Sequence, residues 1–184
     1  MNIKLLNDRN SNVHWELLGF HQEDPLLIKA IREKVIIYPP KDYKRSRSLK
    51  YPPIMDHLRG QYGQPLEVER TLKQKKLWKN KTGFFVEAGA SGGEHLSNSI
   101  YFELKHSWTG LLVEPNPVFY ESLFEIKRNA WILPHCLSTE KKVQLVDFDL
   151  ASFNGGIVNK GRVLPSDLDR KNFTAKSSKN IIKV

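Results

Sequence analysis

The fold of this chain is decided by the stretch Gly83–Pro115, which reads GFFVEAGASGGEHLSNSIYFELKHSWTGLLVEP. An apolar strand at 84–88, a cluster of glycines, a helical segment and a second apolar strand at 110–114 follow one another, an order typical of a βαβ unit. The sequence therefore predicts an α/β fold that contains the first three or four strands of an open, mainly parallel sheet. Further strands are predicted at 132–137 and 143–148, and helices at 94–106 and 118–129.

The residues on either side of this region show less regular patterns. Asp24–Pro25 predicts the start of a helix, and the apolar stripe that follows ends before Pro39. A second, basic helix is predicted at 66–78, whereas residues 41–65 lack periodicity and predict a loop. The predicted organisation is a mainly helical and irregular extension at 1–82, an α/β region at 83–161 and a disordered tail at 162–184.

Composition limits the class of protein. The chain has 184 residues, 40% hydrophobic content, a net charge of +9 and a single cysteine, Cys136. These values are typical of a globular protein with one core, and one cysteine excludes an internal disulfide framework. No apolar run approaches the ~20 residues needed to span a bilayer. The start of the chain also lacks the apolar region of a secretory signal, so these features alone predict a cytoplasmic location.

The glycine cluster raises the question of which nucleotide it binds. A dinucleotide site needs glycines at the first, third and sixth positions of its loop, so that the backbone can approach a pyrophosphate on a helix N-terminus. Counted from Gly89, the third and sixth positions hold Ser91 and Glu94, and the Glu94 carboxylate would repel the pyrophosphate. No Gly-Lys-Ser/Thr follows, which excludes a Walker loop. The cluster therefore argues against both phosphate-binding motifs.

S-adenosylmethionine suits these residue types better, because it has no phosphate and carries a sulfonium, an amino-acid end and a ribose diol. Glu87, at the end of the first strand, can hold the amino group directly or through water. Glu114, at the end of the second strand, can accept hydrogen bonds from both ribose hydroxyls. Gly89, Gly92 and Gly93 let the backbone turn close to the ligand. From composition and spacing alone, a structural turn that binds nothing is an equally good interpretation, with an acid complementing the helix dipole.

Several side chains go beyond what a βαβ unit requires. They are Ser97-Asn98, Phe102-Glu103, Trp108-Thr109-Gly110 and Glu114-Pro115-Asn116-Pro117. With them, residues 83–103 and 108–123 resemble the start of the FkbM-type methyltransferase domain. The upstream DPLLIKAIREKVIIYPP and the later SFNGGIVNKG resemble the invertebrate, Star-like branch of that family. The resemblance covers roughly residues 24–161 and implies a partial Rossmann-like, S-adenosylmethionine-dependent methyltransferase fold.

The resemblance also implies a set of cofactor-binding residues. Glu114 would bind the ribose, and Cys136, Leu137 and Ser138 would stand near the adenine, although an unreactive buried thiol is an equally good interpretation of Cys136. The family often has an aspartate where Gly92 stands, so one polar contact to the methionine end is expected to be missing. The other implied cofactor residues are Glu87, Gly89, Ala90, Gly92 and Glu94.

Two functions of different classes follow from the resemblance. The first is an O-methyltransferase that aligns an acceptor oxygen with the sulfonium methyl group. The second is a non-catalytic, Star-like protein in the trafficking of membrane cargo, with cargo or trafficking proteins as partners. Its location would be the endoplasmic reticulum, Golgi, endosome or plasma membrane. The family's strand DYFSLDIEGAE, which carries acids beside the methyl group, has no counterpart after Gly161. The chain as written is therefore expected to be truncated and not to transfer methyl groups.

No catalytic residue and no metal site is assigned from the sequence. His95, His106 and His135 are nearest to the predicted site, but the first two lie at predicted helix ends, where an imidazolium suits the dipole without a catalytic role. The basic run Arg70–Lys81 lacks the interleaved aromatic residues of a single-strand reader, so nucleic acid is not an expected partner. A helix that faces solvent or an anionic membrane surface is the prediction for this run.

Overall fold

A computed structural model of the chain describes residues 16–41, 60, 62–78, 82–150, 156–157 and, as backbone, 181–183. These residues belong to two compact units. The central unit comprises residues 32–137, and the flanking unit comprises residues up to 31 and from 138 onward. This division falls elsewhere than the predicted boundaries at 82 and 161. Most of the predicted loop at 41–65 and of the segments at 152–161 and 162–184 lies outside the described residues.

The central unit is built on a parallel sheet with the strand order β1-β2-β3. Strand β1 is Phe84–Ala88, β2 is Thr109–Val113 and β3 is Ala130–Leu133. The adjacent, parallel pairing predicted for the first two strands is confirmed, and the protein is mixed α/β. The third strand starts earlier than predicted. It also ends earlier, because Pro134 has no amide hydrogen with which to continue the ladder. The register pairs Phe84 with Thr109, Ala88 with Val113, Gly110 with Ala130 and Val113 with Leu133.

The N-terminal part of the chain is helical over much of what is described. Helix α1, Pro25–Ala30, begins after Asp24, whose Oδ1 accepts a capping hydrogen bond at 2.8 Å, and the predicted helix start is confirmed. A π-helical turn, Ile31–Val35, follows. Helix α2, Gln64–Gln74, ends earlier than predicted. Lys76 has a φ of 55°, which an α-helix does not accommodate.

The two helices that follow β1 and β2 are shorter than predicted. Helix α4, Pro117–Ile126, ends where Lys127 adopts a left-handed φ of 49°. Helix α3, Ile100–His106, begins six residues later than the predicted start at 94. The residues before it form turns, and Leu96 among them has a φ of 59° that is incompatible with a helix. The connection from β1 to α3 is therefore a long structured turn.

One face of the parallel sheet carries the hydrophobic core of the central unit. Side chains alternate between faces along a strand, so Phe85, Leu112 and Ile132 project to the same face, and Leu112 is completely buried. The opposite face includes Phe84 and Val86, which are 57% and 59% exposed. Helices α3 and α4 complete the core on the first face with Tyr101, Phe102, Tyr120, Leu123 and Ile126.

Helix α2 is joined to α3 by a buried acid. Glu69 is 7% exposed and accepts hydrogen bonds from Lys73 and from the Tyr101 hydroxyl, and His106 Nε2 lies 3.2 Å from its Oε2. Lys105 donates to the Tyr101 hydroxyl at 2.6 Å. Burial by itself raises the pKa of Glu69, but these hydrogen bonds outweigh it and lower the pKa to about 2. The carboxylate is therefore ionised at neutral pH and links the two helices.

The flanking unit contains a small antiparallel sheet. Its strands are β4, Asp147–Asp149, between β5, Gly156–Ile157, and β6, Ile181–Lys183. The prediction that 143–148 continues the parallel sheet is wrong, because the Val143 backbone exchanges hydrogen bonds with residues 19 and 20 at 2.9 and 3.0 Å. Residues 181–183, which lie in the predicted tail, form β6 and pair with β4.

Candidate functional site

The candidate site lies at the carboxyl end of β1 and β2, where residues 89–96 form a loop that we call the glycine loop. Gly89 and Gly93 have φ angles of 75° and 76°, which glycine adopts at little cost. Ser91 and Leu96 also adopt left-handed φ angles, of 50° and 59°. Such conformations in non-glycine residues persist only where surrounding contacts hold them, so this loop has a defined shape.

Four backbone amides of the glycine loop donate within the protein. They belong to Gly89, Ala90, Ser91 and Gly93. Because these donors are engaged, these four amides are not free to bind a phosphate. The acceptors are the Val113 carbonyl for Gly89 and Ala90 at 2.9 and 3.1 Å, the Glu114 carboxylate for Ser91 at 2.7 Å, and the Ala90 carbonyl for Gly93 at 2.8 Å.

Glu114 follows the last residue of β2 and is 5% exposed. Its Oε2 accepts the Ser91 amide at 2.7 Å and its Oε1 accepts the Asn116 amide at 2.8 Å. Burial raises the pKa of Glu114 although both amide hydrogen bonds act to lower it. A carboxylate offers about four acceptor positions, so the hydrogen bonds from the described residues leave one on each oxygen. Two acceptor positions on one carboxylate match the two hydroxyls of a ribose diol.

Glu87, near the carboxyl end of β1, is already bound by the turn that precedes α3. Its Oε2 accepts the hydroxyls of Ser97 at 2.7 Å and Ser99 at 2.6 Å, and its Oε1 accepts the Asn98 amide at 2.8 Å. Of about four acceptor positions, these hydrogen bonds from the described part of the chain leave one, on Oε1. The structure therefore leaves Glu87 room for a single hydrogen bond to a ligand amino group or to water.

A buried ion pair behind the glycine loop was missed by the sequence reasoning. Arg128 and Glu103 are each 2% exposed, and Arg128 Nε donates to Glu103 Oε2 at 2.5 Å. The guanidinium also donates to the Gly93 carbonyl and to the hydroxyls of Ser97 and Ser99, at 3.3 and 2.9 Å for the two hydroxyls. One signal in the sequence was an acid among apolar residues of α3, because a buried acid requires a cationic partner.

The other predicted loop residues have mixed surroundings. Ala90 is 3% exposed and its side chain belongs to the hydrophobic core. Gly93 is closely packed, since an added Cβ would lie 2.2 Å from Cδ2 of Leu123. At Gly92 the nearest heavy atom to such a Cβ would be 3.7 Å away. Glu94, also in this loop, is half-buried. The loop thus combines a packed inner side with a more open position at Gly92.

The three residues predicted near the adenine differ in their surroundings. Cys136 is half-buried, and burial together with the negative charge of Glu114 raises the pKa of its thiol to about 11. A thiol that stays protonated at neutral pH is unreactive. Leu137 is 54% exposed. Ser138 belongs to the flanking unit, where its Oγ accepts the Glu140 amide at 2.9 Å.

Comparison with protein-family models, with curated proteins and with solved structures finds no match for this chain. The resemblance to the FkbM-type domain therefore rests on the sequence motifs themselves. Within the described ranges, no helix is both long enough and apolar enough to pass through a bilayer. The same residues contain no group of three or more His, Cys, Asp or Glu arranged to hold a metal ion.

Proposed function

We propose that this chain carries the cofactor-binding part of an FkbM-type methyltransferase domain and binds S-adenosylmethionine at the carboxyl end of β1 and β2. The observation that supports the proposal is the position and hydrogen bonding of Glu114. This buried carboxylate follows β2 and contacts the glycine loop through Ser91. Its hydrogen bonds to residues that the structure describes leave one acceptor position on each oxygen. Those two positions suit the ribose diol of the ligand.

The engaged amides of the glycine loop favour this ligand over a dinucleotide. A pyrophosphate is bound by free backbone amides at a helix N-terminus. Here Gly89 and Ala90 donate to Val113, and Ser91 donates to Glu114. Amides that are engaged in this way are not available to a phosphate, whereas the hydroxyl and amino groups of S-adenosylmethionine require acceptors. The half-buried Glu94 adds negative charge to the loop, which would repel a phosphate group.

Two carboxylates of the chain would bind different parts of the ligand. Glu114 would hold the ribose, and Glu87 would accept one hydrogen bond from the amino group through its remaining position on Oε1. Cys136, with its neutral thiol, would present an apolar surface beside Glu114. When bound, the ligand would supply an activated methyl group for transfer to an acceptor oxygen, the O-methyltransferase activity that the family resemblance implies.

A non-catalytic scaffold is a second candidate, and the state of Glu87 favours it. Three donors from Ser97, Asn98 and Ser99 already stabilise this carboxylate, so it has a structural role that does not require a ligand. In this alternative the domain acts through partners, with membrane-protein cargo or trafficking proteins as the proposed class. The exposed Lys75 and Lys76 after α2 would contribute to contact with an anionic membrane surface.

Calorimetric titration of the purified chain with S-adenosylmethionine tests the first candidate. We expect saturable binding to the wild type and no binding of NAD. Glu114→Ala should weaken S-adenosylmethionine binding by about 1–3 kcal/mol, because the diol loses a charged acceptor. Glu125→Ala, an exposed acid of α4, is the matched control and should bind as the wild type does. Equal affinity of the Glu114→Ala variant and the wild type would remove Glu114 from this role, and no binding at all would favour the scaffold.

A further inference from the structure

Arg128 connects the parts of the candidate site that lie around β1. It follows α4 and is 2% exposed, and Nε donates to Glu103. The two terminal nitrogens of the guanidinium bind other partners. Nη1 donates to the Gly93 carbonyl and to Ser97 Oγ, and Nη2 donates to Ser99 Oγ. One buried cation therefore contacts α3, the glycine loop and the turn that binds Glu87.

The direction of these hydrogen bonds is determined by chemistry. An arginine has five N–H donors and no acceptor, so Ser97 and Ser99 must act as acceptors toward Arg128. Each serine hydroxyl has one hydrogen of its own to donate, and both hydroxyls lie within 2.7 Å of Glu87 Oε2. Arg128 thus orients both hydroxyl hydrogens toward Glu87. Without the guanidinium, either hydroxyl could rotate and leave the carboxylate.

If the ion pair only filled space in the core, Arg128 would not need hydrogen bonds to the two serines. A buried ion pair adds little net stability over well-packed apolar residues, because both charges lose their hydration. The planar guanidinium instead supplies several donors at fixed angles, which a lysine ammonium on a flexible stem does not reproduce. Here those donors converge on the Gly93 carbonyl and on the two serines that bind Glu87.

We propose that Arg128 is a positioning residue for the amino-acid end of S-adenosylmethionine, acting on Glu87 through Ser97 and Ser99. This inference rests on the proposed function and specifies how one end of that site is built. The nucleoside end depends on Arg128 less directly, because Glu114 is held by the amides of Ser91 and Asn116, and the guanidinium reaches that loop at the Gly93 carbonyl. Loss of the Arg128 geometry should therefore weaken the amino-acid end more than the nucleoside end.

Two ligands separate the two ends of the site. S-adenosylmethionine has both an amino-acid end and a nucleoside, whereas 5′-methylthioadenosine keeps the nucleoside and lacks the amino-acid end. Dissociation constants for both are measured with the wild type and with Arg128→Lys, at a temperature well below the melting temperature of each protein. Arg128→Lys keeps the positive charge beside Glu103 and removes the planar set of guanidinium donors. We expect about tenfold weaker binding of S-adenosylmethionine, with 5′-methylthioadenosine changed by less than about twofold.

Two further variants make this result interpretable. Ser99→Ala removes one donor to Glu87 and leaves the Arg128–Glu103 pair. It should also weaken binding of S-adenosylmethionine selectively, but by a smaller factor. Arg70→Lys changes an exposed arginine paired with Glu67 and should alter neither ligand's affinity. If Arg128→Lys does not fold, Ser99→Ala decides the question alone.

The outcomes separate this inference from the proposed function. Selective weakening of S-adenosylmethionine supports a positioning role for Arg128. Equal weakening of both ligands, or no weakening of either, overturns that role and leaves the proposed function standing. A wild-type chain that binds neither ligand overturns both.

Discussion

Gly93 shows how one residue limits the shape of the candidate site. Its φ of 76° is strained for any other residue, and an added Cβ would lie 2.2 Å from Leu123 and 2.7 Å from Ile126. We therefore expect Gly93→Ala to lower the free energy of unfolding by about 2–4 kcal/mol, from backbone strain and overpacking together. Chemical denaturation followed by circular dichroism measures the change.

Gly92→Ala is the matched control for this experiment. Its backbone does not require a left-handed φ, and the nearest heavy atom to a new Cβ is Ser122 Cβ at 3.7 Å, an ordinary van der Waals distance. The variant should lose less than about 0.5 kcal/mol of stability. Equal losses at Gly92 and Gly93 would contradict the packing described for the glycine loop.

The protonation state of Glu114 should govern ligand binding at acid pH. Burial raises the pKa of Glu114, so the folded protein protonates this group at a higher pH than the unfolded chain does. A ribose diol needs the ionised acceptor, and affinity for S-adenosylmethionine should fall as the pH drops through that raised pKa. Cys136 does not titrate in this range because the pKa of its thiol is about 11.

Calorimetric titrations of the wild type and Glu114→Gln between about pH 7 and about pH 4 isolate this effect from that of other carboxylates. The amide cannot ionise, so the variant should bind more weakly at pH 7 and lose less affinity on acidification. Identical pH profiles for the two proteins would show that Glu114 is not the group that binds the diol.

The residues of the candidate site were predictable to different degrees. Glu114 and Glu87 could be identified because acids at the ends of adjacent parallel strands meet at one edge of the sheet. The occupation of Glu87 could not be predicted, since its partners lie in a turn whose apolar spacing resembled a helix. Arg128 was missed because its contacts depend on tertiary packing against Glu103, and spacing along the chain does not reveal them.

At the scale of elements, α2 is held against α3 by Glu69. Its carboxylate is 7% exposed and is bound by Lys73, Tyr101 and His106. Glu69→Gln should lower the free energy of unfolding by about 1–3 kcal/mol at neutral pH, since charged donors lose an ionised acceptor. Thermal or chemical denaturation at pH 7 measures the loss.

The pH dependence of this loss has a definite sign. The folded pKa of Glu69, about 2, lies below the unfolded value of about 4.3, so its contribution is complete above the unfolded pKa and disappears as the pH falls toward 2. The stability difference between the wild type and Glu69→Gln should shrink over that range. Glu67→Gln, an exposed acid on the same helix paired with Arg70, is the control and should have little effect at any pH. A constant difference between the wild type and Glu69→Gln would contradict the ionised state of Glu69.

The elements themselves divide into those set by local pattern and those set by distant pairing. Strands β1 and β2 follow from short apolar runs, and the N-cap at Asp24 from a local capping signal. The start of α3 was misplaced because the residues before it form hydrogen bonds to Glu87 instead of continuing the helix. The backbone around Val143 pairs with residues 19–20, far away in sequence, which local periodicity does not indicate.

At the scale of the whole molecule, the residues with the main proposed roles belong to one unit. Glu87, Glu114 and Arg128 all lie within the central unit, residues 32–137. Ligand binding should therefore stabilise this unit. At a free concentration of S-adenosylmethionine a hundred times its dissociation constant, the free energy of unfolding should rise by about 2.7 kcal/mol. Hydrogen exchange of the β1 and β2 amides, with and without the ligand, measures the gain, and unchanged protection of these strands would argue against binding at their carboxyl ends.

Binding of S-adenosylmethionine at the carboxyl end of β1 and β2 is tested most directly by a crystal structure of the chain grown with S-adenosylhomocysteine, which keeps the ribose and the amino-acid end. We predict that the ligand lies at the carboxyl end of β1 and β2. Both ribose hydroxyls should be within about 2.5–3.0 Å of the Glu114 oxygens, one on each. A ligand bound elsewhere on the chain, or a ribose that does not contact Glu114, would contradict the account.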